Sequence, residues 1–127
     1  MAGTIIADDL KHSNNDTVGT EYIINGSAKA RIRYNQDTST NVGSFNVTSY
    51  TDSASGKSIV AFSSVMNNAT YNAITDGTNS DTGSAYDQTH SEAFTSSQFQ
   101  VSTGVYSTGP VTTDFVLGQA VVFGDLA

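Results

Sequence analysis

The chain has 127 residues, a net charge of −7 and no cysteine, so one domain is expected and disulfides and thiolate metal sites are excluded. Hydrophobic residues make up 37% and charged residues 13%: the core is thin, but the dense charge of a disordered chain is missing. The acidic balance also argues against nucleic acid as a partner, because phosphate binding needs a basic surface.

Residues 1–27 contain two short apolar pieces, Thr4-Ile5-Ile6 and Tyr22-Ile23-Ile24, on either side of the polar, turn-rich run from Lys11 to Gly19. The start carries neither a basic region nor a long apolar run, and nowhere do roughly 18 consecutive apolar residues occur, so neither a signal peptide nor membrane insertion is expected. A segment of this kind can hardly fold alone. It reads as a short extended attachment or oligomerisation segment in which Ile5, Ile6, Tyr22 and Ile23 meet another copy or a larger particle.

Period-2 patterning begins at residue 28. Ala28, Ala30, Ile32 and Tyr34 fall on one side of a strand, and Lys29, Arg31 and Arg33 on the other. Three of the five cations therefore share one face. That face is either solvated, or protects a sheet edge, or meets an acidic surface such as a second copy of this chain. Phe45–Tyr50 begins another strand, and the Gly56-containing turn leads into Ser58–Phe62, which together read as a hairpin. Thr70–Ile74 is a fourth strand.

Residues 76–93 read as a long exposed loop with room for a short pairing inside it. Gln98–Ser102 follows as a strand with Phe99 and Val101 on one side, then a Gly/Ser/Thr loop over 103–113 containing Pro110. The run Phe115–Phe123 is the most apolar and is expected to form the central, most buried strand. Seventeen Ser, 17 Thr and ten Asn accompany the aromatics, a composition suited to half-buried strands and turns. The expected fold is an all-β antiparallel sandwich of about seven strands over 28–127, preceded by the segment 1–27.

Catalytic signals are sparse. His12 and His90 are the only histidines, and with serine this abundant a Ser-His-Asp relay cannot be read from composition. His12 lies in a polar spacer. Asp87, His90 and Glu92 offer imidazole and carboxylate, but they do not complete a recognisable ligand set. Asp76–Asp81 is rich in oxygen donors yet lacks the calcium-loop pattern and suits a turn. Gly-rich phosphate loops are absent. The expectation is no enzyme, no cofactor and no metal, with Tyr86, His90 and Tyr106 in loops that suit a glycan or protein surface.

The order of Ala28-Lys29-Ala30 with its alternating strand, Ser44-Phe45-Asn46-Val47-Thr48-Ser49-Tyr50-Thr51-Asp52, Met66, Asn68-Ala69-Thr70-Tyr71, Phe99-Gln100-Val101 and Ala120-Val121-Val122-Phe123-Gly124-Asp125 resembles the C-terminal knob domains of marine and cyanobacterial phage tail fibres. Where that pattern often carries Trp after the Lys-Ala pair, this chain has Arg31. The resemblance implies a homotrimeric sandwich on the virion, made in the cytoplasm of an infected bacterium. Its partners would be other virion proteins and a host-surface glycan or protein. A capsid decoration protein is the alternative expectation, and a calcium-dependent lectin or small carbohydrate-active enzyme a more distant one.

Overall fold

Arg31 and Arg33 face water while Ala30, Ile32 and Tyr34 of the same strand are buried, because successive side chains of a strand point to opposite sides of its sheet. The computed structural model describes residues 6–11, 17–79, 86–106 and 110–127. It is all-β, with antiparallel sheets and one short helix. In chain order the elements are β1 (Asp9–Lys11), β2 (Thr17–Gly19), α1 (Thr20–Gly26), β3 (Ala30–Asn35), β4 (Thr40–Phe45), β5 (Val47–Ala54), β6 (Lys57–Phe62), β7 (Asn72–Thr78), β8 (Tyr86–Glu92), β9 (Gln98–Tyr106), β10 (Pro110–Thr112) and β11 (Leu117–Phe123).

Two sheets make the body. One has the order β4-β3-β11-β7. In the other, β5, β6 and β9 lie side by side and β8 pairs with the far edge of β9. Strand β10 meets β9 at Gly104–Tyr106, beyond the stretch Gln98–Ser102 that pairs with β6. Ala30, Ile32, Tyr34, Ala120 and Val122 from the first sheet meet Val60, Phe62, Phe99 and Val101 from the second. Full burial of each large apolar side chain contributes about 1.5–3 kcal/mol. Aromatic contacts add direction: Tyr71 meets Phe62 and Phe94 edge-on, with ring centres 5.4 and 5.1 Å apart. Strand β11 is central in its sheet, as its apolar run predicts.

Polar groups also join the two layers. The Gln36 side chain donates to the Ser58 hydroxyl at 3.0 Å and accepts from the Phe115 amide at 2.8 Å. Between β7 and β8, which do not pair, hydroxyls replace the ladder. Thr89 donates to the Thr75 carbonyl and Ser91 to the Ala73 carbonyl, each at 2.9 Å.

Several sequence expectations need correction. Eleven strands form among the described residues, not about seven, because weakly patterned edge segments also pair. Residues 76–93 are not one loop: β7 runs through Thr78 and β8 occupies Tyr86–Glu92, while residues 80–85 lie outside the described residues. The stretch 103–113 is likewise mostly strand, with residues 107–109 outside the description. Asn46, at φ 54°, separates β4 from β5, so Phe45 closes one strand and does not open the next. The N-terminal segment is not extended. Strands β1 and β2 form a small antiparallel hairpin, and Tyr22-Ile23-Ile24 is helical.

Candidate functional site

The outward side of the second sheet is built by register. Lys57 on β6 lies opposite Ser102 on β9, and Ser102 lies opposite His90 on β8. One row further, Ile59, Gln100 and Glu92 are matched in the same way. Glu92 reaches diagonally across these rows, as neighbouring strands permit for a long side chain. Its carboxylate accepts a short hydrogen bond from the Ser102 hydroxyl and another from the Gln100 amide at 2.6 Å. The Lys57 ammonium stands 3.5 Å from one carboxylate oxygen and His90 Nε2 3.9 Å from the other.

These groups hold Glu92 below the ordinary carboxylate range. The Ser102 hydrogen bond is the largest cause, with help from Gln100, Lys57 and His90, and partial desolvation opposes it. A carboxylate held in this way is a poor base. The hydroxyl hydrogen of Ser102 is committed to it, and His90 faces the carboxylate, so no activated serine results. Beside this cluster lies a shallow, mostly apolar groove of about 120 Å³, with Gln88, His90 and Thr112 at its edge and Gly104, Val105 and Val111 along it. Amide, imidazole and charged groups thus border a shallow apolar floor, a combination suited to a ligand that offers both hydroxyls and an apolar face.

The structure collects part of the sequence-derived set here. His90 is exposed, on a strand and not in a loop. Tyr86 and Tyr106 are strand positions directly opposite one another, four residues along β8 and β9 from the His90–Ser102 pair. Asp87, which the sequence groups with His90 and Glu92, instead accepts from the Asn79 amide at 3.1 Å on the β7 side. Among the described residues no group of three or more His, Asp or Glu side chains is placed to hold a metal ion. Lys57, Gln100 and Ser102 escape sequence reasoning because only the β6-β9-β8 register brings them to Glu92.

The other predicted contact residues lie elsewhere. Arg31 and Arg33 are exposed on the outer side of the first sheet, and Ile6, Tyr22 and Ile23 are exposed in the N-terminal unit. Lys29 sits between these two regions, and Ile5 lies outside the described residues. No helix among the described residues is long and apolar enough to cross a membrane. No family model, curated protein or solved structure matches this chain.

Proposed function

We propose that this chain is a non-enzymatic structural protein of a bacteriophage particle, a short tail-fibre or adhesin knob whose second-sheet face contacts the host surface. The observation that carries the reading is the exposed polar cluster around Glu92 beside a shallow, mostly apolar groove. Such a surface can engage the hydroxyls of a glycan without enclosing it. The ordered resemblance from Ala28 to Asp125 supplies the particle context. Host-surface glycan is the ligand class, and the N-terminal unit joins the chain to the particle or to sister copies.

A capsid decoration protein is the second reading. It is favoured by the apolar exposure of Ile6, Tyr22 and Ile24 in a unit that stands off the sandwich, which suits anchoring in a shell.

Gold-labelled antibody against the chain, applied to particles of the phage that encodes it, tests both. Label at the tail end together with binding of the purified chain to host cells supports the knob. Label spread over the capsid transfers the proposal to decoration. Particles free of label overturn both.

A further inference from the structure

Two exposed apolar surfaces of this chain carry opposite charge, and neither covers the other within one copy. The first is the outer side of the four-stranded sheet. Its register places Phe45, Arg31, Val121 and Ile74 in one row and Gly43, Arg33, Gln119 and Asp76 in the next. Phe45 and Ile74 are 57% and 63% exposed. A depression of about 190 Å³ opens between Arg31, Arg33, Gln119 and Val121. Among the described residues neither arginine has a carboxylate within ion-pair distance.

The second surface is the hairpin–helix unit. Ile6, Leu10, Val18, Tyr22, Ile23 and Ile24 are six of the twelve large hydrophobics exposed among the described residues. Ile6, Leu10, Ile23 and Ile24 surround a concavity of about 460 Å³. Asp8 and Asp9 are exposed beside it, and Lys11, exposed at the end of the same strand, leaves the acidic charge in excess. So dense an apolar surface on so small a unit calls for a partner.

The unit does not lie on its own sheet. Helix α1 packs on β2, and neither hairpin strand makes more than marginal contact with the sandwich. Lys29 fixes this posture. Its backbone amide donates to the Val122 carbonyl at 2.7 Å, while its ammonium donates to the Ile24 carbonyl and to the Ser27 hydroxyl. The end of α1 is thereby tied to the end of the β3–β11 pair, where a cation also suits the helix C-terminus.

We propose that the hairpin–helix unit of one copy docks on the outer face of the four-stranded sheet of a second copy, with Asp8 and Asp9 against Arg31 and Arg33. Apolar burial supplies the attraction, and the charges fix orientation. Because the two surfaces differ, the contact is heterologous and builds a ring or a filament. The inference is independent of which host surface the protein contacts, and it competes with the decoration reading for Ile6, Tyr22 and Ile24.

Light scattering after size exclusion tests it on full-length chains. The face variant R31E/R33E and the unit variant I23S/I24S each lose the wild-type oligomer. Mixed in equal amounts they form a two-chain complex, since the face variant keeps its unit and the unit variant keeps its face. The variant D8K/D9K/R31E/R33E, with both partners reversed, regains the oligomer. Circular dichroism verifies that each chain is folded; if the unit variant misfolds, the reversed variant still decides, and if the face variant misfolds, D8K/D9K does, since retention of the oligomer there overturns the proposal. A monomeric wild type, a unit variant that stays oligomeric, a folded mixture that remains monomeric, or a reversed variant that stays monomeric overturns the proposal.

Discussion

The Thr103 hydroxyl on β9 lies 2.8 Å from Oε1 of Gln36, across 67 residues of chain and inside the protein. It shares its one hydrogen between the Thr113 carbonyl at 2.7 Å and that oxygen. The same oxygen receives the Phe115 amide, and the amide nitrogen of Gln36 reaches Ser58, whose hydroxyl is 2.8 Å from that of Tyr50. One side chain at the end of β3 thus satisfies groups from the opposite sheet and from the segment before β11. Gln36→Ala strands the buried Phe115 amide hydrogen and leaves the Thr103 hydroxyl with the Thr113 carbonyl alone, at a cost of about 1–3 kcal/mol. Urea unfolding followed by circular dichroism measures it. A loss below about 1 kcal/mol would show that this network is not a principal tie between the layers.

Tyr34 and Gly118 give an opposed pair of expectations. A Cβ on Gly118 would stand 2.2 Å from the Tyr34 ring, which stacks on Tyr50 at 5.1 Å between centres and has little room to retreat. Gly118→Ala therefore destabilises by about 2–3 kcal/mol through overpacking. The Tyr34 hydroxyl is buried with no hydrogen-bond partner, so Tyr34→Phe is neutral or stabilises by up to about 1 kcal/mol. Thermal unfolding of both variants checks the contrast. An unchanged midpoint in the glycine variant contradicts the close approach.

Strand β3 and the β5–β6 hairpin are legible in the sequence because each has one side on the core: Ala30, Ile32 and Tyr34 alternate with charges, and Val60 and Phe62 are buried. Strand β4 hides because its whole length, Thr40–Phe45, is exposed, so no alternation marks it. Strand β8 hides for a different reason. Thr89 and Ser91 spend their hydroxyls on β7 carbonyls in place of apolar packing, and the strand therefore reads as a polar loop. At the site, the sequence offers His90 and Glu92 at a spacing that shares a strand face. The partners of Glu92 come from β6 and β9, and pairing between distant segments leaves no local trace.

Alkaline pH gives a separate expectation. Burial pushes Tyr50 and Tyr71 up to about 12 from the ordinary 10.0 and raises Tyr34 further. For a raised folded value, the stability is fully present below pH 10, where the unfolded chain titrates, and is lost as pH rises toward 12. Tyrosinate absorbance from these three rings is expected to appear together with loss of the circular-dichroism signal. Ionisation of all six tyrosines in a chain that stays folded would contradict their burial.

Glu92 gives the converse dependence. Its folded value is depressed, first by the Ser102 hydroxyl, so the stability it contributes is present above the ordinary 4.5 and is lost as pH falls through the folded value. Glu92→Gln lacks that titration while keeping much of the shape. At pH 7 the variant is expected to unfold at lower urea than the wild type, because the charge-assisted acceptor for Ser102, Gln100 and Lys57 is gone. The gap should hold down to about pH 5 and narrow steadily below it, as protonation removes the same acceptor from the wild type. Urea midpoints for the two chains across that range measure the effect. A gap that stays constant into strong acid, or widens there, would mean that Glu92 is not the carboxylate the cluster holds ionised, and the polar face would then have to be organised without it.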